Sequence, residues 1–136
     1  MTKVYIDIDG VLLTKKMTLP EDGAMLIDYL LENFDCLWLT THCRGGENKT
    51  LSYLRQFYTP ELIKKLERIN PTDWSTLKTE AIDMSSDFIW LEDYPMEAEK
   101  LILRRNNKSD SLIQVDLNRP DELKRVKQRL VRFKTL

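Results

Sequence analysis

The chain alternates short apolar runs with longer amphipathic stretches. Three runs rich in β-branched and aromatic residues are typical of buried strands: residues 4–8 (VYIDI), 36–40 (CLWLT) and 87–93 (DFIWLED). A fourth run of this kind covers residues 111–117 (SLIQVDL). Strands that alternate with helical stretches predict an α/β fold with a parallel sheet and helices on both of its faces.

Between the strands, the apolar residues have helical spacing. Residues 19–22 (LPED) mark the start of a helix. The apolar positions that follow at i, i+3, i+4 and i+7 are Ile27, Leu30, Leu31 and Phe34. Further helices are predicted after Gly45-Gly46, after the capping pair Thr59-Pro60, over residues 72–84, from Pro95 to Arg105 and from Pro120 onward. By its length, the chain (residues 1–136) is expected to form a single domain.

Composition and charge are those of an ordinary globular protein. Apolar residues make up 42% of the chain and charged residues 32%, and the net charge of −1 argues against non-specific binding of nucleic acid or acidic membranes. No apolar stretch approaches the length of a membrane span and no secretory leader precedes the first strand, so we expect a cytoplasmic protein without a membrane partner. The two cysteines, Cys36 and Cys43, are expected to be reduced thiols.

Polar side chains follow the predicted strands, at the edge where open parallel sheets bind ligands. They are Asp7 and Asp9 after the first strand, Thr40 and Thr41 after the second, and Glu92 and Asp93 after the third, with Lys78 near the start of a predicted helix. So many carboxylates at one edge require protons or a cation. Oxygen ligands suit a hard ion, most commonly Mg²⁺, and an ion beside a lysine and a hydroxyl suits a phosphate. The pattern therefore indicates a metal-assisted reaction on a phosphoryl group.

These residues, in this order, resemble the four motifs of the haloacid dehalogenase (HAD) superfamily of phosphohydrolases. The stretch Asp7-x-Asp9-Gly10-Val11 resembles the first motif, and Thr40, which closes the run LWL, resembles the second. Lys78 resembles the third motif, and the acidic pair that follows FIWL resembles the fourth. The resemblance spans residues 7–93 and implies a Rossmann-like core.

The resemblance also implies what each residue does. Asp7 would attack phosphorus and form an aspartyl-phosphate, and Asp9 would be the general acid that later activates water. Thr40, or alternatively Thr41, would bind one phosphoryl oxygen, and Lys78 would bind another while balancing the charge of Asp7. Mg²⁺ would be held by Asp7, by the backbone carbonyl of Asp9 and by an acid of the fourth motif.

The fourth motif departs from the family pattern, which is usually Asp-Asp or Gly-Asp. Here the pair is Glu92-Asp93, so we favour Asp93 as the metal ligand and expect Glu92 to act through water or to orient Lys78. Residues 11–36 and 41–77 are too short to hold a separate cap domain. An uncapped site implies a large phosphorylated substrate or a cap supplied by a neighbouring subunit, and both alternatives stay open.

Two other functions compete with a HAD-type phosphatase. A receiver-like phosphoacceptor domain also combines acids, a threonine and a lysine, but its phosphorylated aspartate lies near mid-chain and its lysine follows the last strand. A HAD-like binding module without catalysis is the second alternative, and the intact Asp7 and Asp9 argue against it.

For the other polar residues, a functional interpretation and a purely structural one both stay open. His42 and Arg44 follow the second strand, where they would either touch substrate or simply solvate a loop. The last helix is basic and would bind RNA or DNA or, as is more usual for such a run, form a solvated surface. Its cationic residues are Lys124, Arg125, Lys127, Arg129, Arg132 and Lys134.

Overall fold

A parallel β-sheet forms the centre of the fold. The computed structural model describes residues 1–135, and its strands are β1 (Lys3–Ile6), β2 (Asp35–Trp38), β3 (Phe88–Glu92) and β4 (Leu112–Gln114). The strand order is β2-β1-β3-β4, and every neighbouring pair is parallel. The predicted parallel α/β sheet is therefore confirmed, with strand ends that differ from the predicted ends by one to three residues.

Helices connect consecutive strands, as the apolar spacing predicted. Within residues 1–135 they are α1 (Gly23–Asn33), α2 (Thr50–Leu54), α3 (Pro60–Leu66), α4 (Glu97–Arg105) and α5 (Glu122–Thr135). Thr59 caps α3 as predicted, because its hydroxyl accepts a hydrogen bond from the Leu62 N–H at 3.3 Å. Short 3₁₀ turns at Thr41–Cys43, Lys78–Ala81 and Ser109–Ser111 complete the connections.

Two hydrophobic cores cover the two faces of the sheet. Along β1, Val4 and Ile6 face a core that includes residues of α1, α3 and α5, while Tyr5 faces a second core with a residue of α4. Alternate residues of a strand point to opposite faces, so each face of the sheet requires its own helices. The architecture is a Rossmann-like α/β fold, and no segment of residues 1–135 forms a separate cap.

The prediction of a helix over residues 72–84 is wrong, because only the 3₁₀ turn Lys78–Ala81 forms there. Carboxylate side chains in this segment accept hydrogen bonds from backbone N–H groups, most of which belong to the segment itself. The Asp73 carboxylate accepts from the backbone N–H groups of Gly45 (2.7 Å) and Trp74 (2.8 Å). The Glu80 carboxylate accepts from three further N–H groups, those of Ser75, Thr76 and Leu77. Such local bonds compete with helix formation.

Two further expectations concern the chain as a whole. None of the helices within residues 1–135 has both the length and the apolar composition that crossing a bilayer requires. Cys36 and Cys43 are both buried and unpaired, as predicted, and burial raises the pKa of the Cys36 thiol to about 12.

Candidate functional site

Three acidic side chains meet at the carboxyl ends of β1 and β3. Asp7 follows β1, Glu92 ends β3 and Asp93 comes next, and one carboxylate oxygen from each lies within 4.8 Å of the others. The parallel pairing of the two strands produces this meeting, and the Asp7 N–H donates to the Leu91 carbonyl at 3.1 Å. Asp7 and Glu92 are only 6% and 3% exposed, whereas Asp93 is half-buried. We call these three residues the acid cluster.

Lys78 supplies the positive charge at the acid cluster. Its Nζ lies 2.6 Å from Glu92 Oε1 and 3.3 Å from Asp7 Oδ2, and its side chain is 13% exposed. Glu92 Oε2 accepts from the Tyr94 N–H at 3.3 Å, so both oxygens of Glu92 already have donors. Asp7 and Asp93 thus have more oxygen lone pairs free for a further ligand than Glu92 has.

Glu99 fixes the position of Lys78 and is not among the site residues that the sequence predicts. This buried carboxylate accepts from the backbone N–H of Lys78 at 2.7 Å and from that of Met96 at 2.8 Å. It therefore joins the turn Lys78–Ala81 to the first turn of α4. The available signal was a glutamate early in a helix that follows a proline, a position where glutamate accepts bonds from backbone N–H groups.

The electrostatics of the acid cluster reflect burial and crowding. Burial raises the pKa of Asp7 above its ordinary value, although the Lys78 ammonium opposes the rise. Burial and the charge of Asp7 raise the pKa of Glu92 to about 7, and burial together with the contact to Glu92 raises the pKa of Asp93 to about 6. Burial acts to lower the pKa of Lys78, but Asp7 and Glu92 outweigh it and raise that pKa. A bound cation would favour the ionised acids.

The donor atoms of the acid cluster fit a hard divalent cation. All three side chains offer carboxylate oxygens, and hard ions such as Mg²⁺ and Ca²⁺ prefer oxygen ligands. One ammonium faces three carboxylates, so the site has negative charge to spare for a cation. The residues present are therefore compatible with the metal that the sequence predicted.

Gly10 allows Asp93 to approach β1. Its φ is +81°, in the left-handed region that favours glycine. A Cβ atom on Gly10 would overlap the Asp93 carboxylate and would lie 2.8 Å from the Asp93 Cβ. The close packing of these two residues thus requires a glycine after Asp9.

If the acid cluster binds Mg²⁺ as the sequence predicts, Gly10→Ala should weaken that binding at least about tenfold, because the new methyl group displaces Asp93. Positive φ also costs an alanine about 1–2 kcal/mol of stability. Gly45→Ala is the matched control, since Gly45 has a φ of +87° and open space around its Cβ position. Thermal unfolding with and without Mg²⁺ separates the two effects. If Mg²⁺ raises the melting temperature of both variants equally, the packing of Asp93 against Gly10 does not determine metal binding.

Asp9 points to a different set of partners. Its Oδ2 lies 3.1 Å from His42 Nε2, and its Oδ1 accepts from the Tyr53 hydroxyl at 3.1 Å. The rings of His42 and Tyr53 are stacked, with centroids 3.8 Å apart. The Asp9 side chain is 55% exposed and lies outside the acid cluster, which among residues 1–135 contains only Asp7, Glu92 and Asp93. The contact with Tyr53 spans 44 residues of sequence, and no local pattern could have indicated it.

Thr40 and Thr41 lie in the turn after β2, at the same edge of the sheet. Thr40 is fully buried, and its hydroxyl accepts from the His42 N–H at 3.4 Å, so it caps the 3₁₀ turn. Thr41 is exposed. The structure therefore brings Asp7, Lys78 and the pair Glu92-Asp93 together. The two threonines stand beside this group without a hydrogen bond to it among the described residues.

A small cavity borders the Lys78–Glu92 ion pair. Its volume is about 310 Å³, and its walls include Trp74 and Tyr94. Arg44 lies over the Trp74 ring, with its guanidinium carbon 4.7 Å from the ring centroid. Arg44 thus has an aromatic partner near the site, whereas His42 contacts Asp9 directly.

Comparison of the chain with models of protein families finds no match, and comparisons with curated proteins and with solved structures find none either. The chemistry of the site therefore has to be inferred from its own contacts.

Proposed function

We propose that this protein is a Mg²⁺-dependent phosphomonoester hydrolase of the HAD type, with Asp7 as nucleophile and Asp9 as general acid and base. One observation carries the proposal: a buried Asp7 shares a 4.8 Å cluster with Glu92 and Asp93, and Lys78 stands 3.3 Å from its carboxylate. The HAD-like order of these residues along the chain agrees with it. We also propose a cytoplasmic location, which the unpaired thiols support.

The proposed reaction has two steps, which form and then hydrolyse an aspartyl-phosphate on Asp7. In the first, a carboxylate oxygen of Asp7 attacks phosphorus, the bond between phosphorus and the alcohol oxygen breaks, and Asp9 gives that oxygen a proton. In the second, water attacks phosphorus and passes a proton to Asp9. The bond between phosphorus and Asp7 then breaks and inorganic phosphate leaves. Asp7 needs no deprotonation by a base, because the Lys78 ammonium stabilises its carboxylate form.

The other residues have supporting functions. Asp7 and Asp93 would hold Mg²⁺ together with the backbone carbonyl of Asp9, and the bound ion supplies positive charge that offsets the phosphoryl group. Lys78 binds a phosphoryl oxygen. Glu92 acts as a positioning residue, since its oxygen lies 2.6 Å from the Lys78 ammonium.

Asp93→Asn is expected to abolish the increase in melting temperature that Mg²⁺ gives the wild-type protein. Without metal, the variant should unfold at the same temperature or higher at pH 7.5, because burial and Glu92 raise the pKa of Asp93 to about 6 and its charge is unfavourable there. Asp110→Asn, at an exposed aspartate, is the control. A full Mg²⁺ response in Asp93→Asn would exclude Asp93 as a ligand.

Tyr53→Phe is expected to lower kcat about tenfold with little change in KM, because the Asp9 carboxylate loses the hydroxyl that orients it. Steady-state kinetics on an aryl phosphate measures the effect. Tyr29→Phe is the control, since the Tyr29 hydroxyl forms no hydrogen bond among residues 1–135. An unchanged kcat would mean that Asp9 does not need Tyr53.

The proposed function is tested by incubating the protein with 4-nitrophenyl phosphate and Mg²⁺, with and without a chelator. We expect release of nitrophenol and inorganic phosphate that the chelator abolishes. A stable phosphoprotein without turnover would contradict the proposal and support a receiver-like domain. Neither hydrolysis nor a Mg²⁺ response would instead support a binding module.

A further inference from the structure

A groove of about 970 Å³ adjoins the acid cluster. It meets the cluster at Gly10 and Asp93, and it continues past β4 to the segment 115–119 and to α5. The loop 14–18 also lines it. Any molecule bound at Asp7 therefore has room to extend along this groove.

The groove is cationic, although the whole chain has a net charge of −1. Among the described residues, only two acidic side chains, Asp93 and Asp116, line it. Its five cationic side chains are Lys15, Lys16, Arg119, Arg125 and Arg129. They come from three separate parts of the chain: the loop after β1, the turn before α5 and α5 itself. The fold thus places these cationic side chains next to the acid cluster.

Three of these cations have no carboxylate of their own. Across residues 1–135, Lys15, Lys16 and Arg129 form no ion pair, whereas several other surface lysines do, as Lys65 does with Asp28 at 2.8 Å. Unpaired cations that converge on one groove repel each other and attract an anion. The groove therefore holds three cationic side chains whose charge no carboxylate of the described residues neutralises.

Arg125 is held rigidly in the wall of the groove. Its guanidinium donates to both oxygens of the buried Glu122, at 2.7 and 2.8 Å, and to the Gln114 carbonyl at 3.0 Å. Arg129 follows one helical turn later, on the same side of α5. The loop that carries Lys15 is closed by hydrogen bonds between Thr14 and Thr18, including one of 2.7 Å between their hydroxyls. The backbone that carries these cations is thus fixed by the helix α5 and by the hydrogen bonds of the loop 14–18.

From this arrangement we infer that the groove binds a second phosphate of the substrate. The preferred substrates are phosphomonoesters whose alcohol part carries another phosphate, which Lys15, Lys16 and Arg129 bind while the first lies at Asp7. Charge-assisted hydrogen bonds from lysine and arginine to phosphate are strong, and one guanidinium group can donate to two phosphate oxygens at once. This inference rests on the proposed function, since it assigns the substrate class of the same site.

The test measures binding of matched phosphate pairs to the Asp7→Asn variant by calorimetry at physiological salt. One pair is fructose 6-phosphate and fructose 1,6-bisphosphate, and the other is adenosine 5′-monophosphate and adenosine 3′,5′-bisphosphate. We expect the bisphosphate of at least one pair to bind about tenfold more tightly than its monophosphate. The pair that shows the difference distinguishes a sugar from a nucleotide source of the second phosphate.

Groove variants give the second half of the test. Lys15→Ala with Lys16→Ala changes two exposed loop residues, and Arg129→Ala changes the half-buried arginine of α5. Each should bring the ratio of bisphosphate to monophosphate affinity close to one. Arg104→Ala, at an exposed arginine of α4, should leave the ratio unchanged.

The outcomes separate this inference from the proposed function. Affinities equal within twofold in both pairs, or a ratio that persists in both groove variants, would overturn the inference. Hydrolysis of monophosphates and bisphosphates at the same kcat/KM by the wild-type protein would overturn it while the proposed function stands. Tight binding of a bisphosphate without hydrolysis of any phosphate would contradict the proposed function instead.

Discussion

Asp7→Asn is expected to lower the turnover of aryl phosphates by at least about 10³-fold while the protein stays folded. An amide has neither the negative charge nor the nucleophilic oxygen that the first step requires. The fold should tolerate the change, because burial raises the pKa of Asp7 although Lys78 opposes the rise, and because Lys78 keeps Glu92 as its ion-pair partner. The variant should therefore melt no lower than the wild type in a chelator.

Two measurements check this prediction. Phosphate release gives the turnover, and acid-quenched samples of the wild type should contain a phosphorylated peptide that includes Asp7. The variant should contain none. Asp110→Asn again serves as the exposed control. Turnover above one tenth of the wild-type value in Asp7→Asn would rule out Asp7 as the nucleophile, whatever the metal dependence.

Lys78→Met should have the largest effect on stability, about 3 kcal/mol at pH 8. It removes the ammonium that lies 2.6 Å from Glu92 and 3.3 Å from Asp7, and it leaves both carboxylates buried without a cation. Turnover should also fall about 10²-fold, because the phosphoryl group loses a donor. Lys100→Met, at a lysine that lies 3.4 Å from the exposed Glu97, is the control and should change stability little.

The stability loss in Lys78→Met should depend on pH. Glu92 has a pKa of about 7 in the folded protein against an ordinary value of 4.5, so the folded state binds more protons between these values. The protonated form of Glu92 thus favours folding below about pH 4.5, and this contribution is lost as the pH rises towards 7. Without Lys78 the pKa of Glu92 rises further, so the variant should be closest to the wild type at pH 5.

Urea unfolding at pH 5 and pH 8 measures this dependence. The double variant Lys78→Met with Glu92→Gln should regain much of the lost stability at pH 8, because one of the uncompensated carboxylates is gone. It should regain no turnover. A loss of the same size at both pH values would instead point to packing of the lysine side chain as the cause.

The sequence predicts the sheet well because its strands are short apolar runs, and acids mark the carboxyl ends of the first and third runs. Asp7, Glu92 and Asp93 come together because parallel neighbouring strands bring their carboxyl ends to one edge, a rule that depends only on the fold class. Residue order along each strand is enough to find them. The position of Lys78 beside the acid cluster does not follow from the predicted secondary structure, because the helix predicted over residues 72–84 does not form.

The features that the sequence does not predict depend on contacts between distant residues. Tyr53 reaches Asp9 from 44 positions away, and Glu99 reaches Lys78 from 21 positions away. The failed helix over residues 72–84 has a related cause, since the carboxylates of Asp73 and Glu80 bind backbone N–H groups that periodicity does not consider. Apolar spacing describes which face is buried, and it contains no information about hydrogen bonds of polar side chains.

Glu99 makes one carboxylate the common acceptor for two separate pieces of backbone. If either the first turn of α4 or the turn that carries Lys78 opens, one oxygen of a buried group loses its donor. Such a loss is costly, so the two segments should open and close as one cooperative unit. A disturbance at the exposed start of α4 would then reach the ammonium beside Asp7 without any change in the sheet itself.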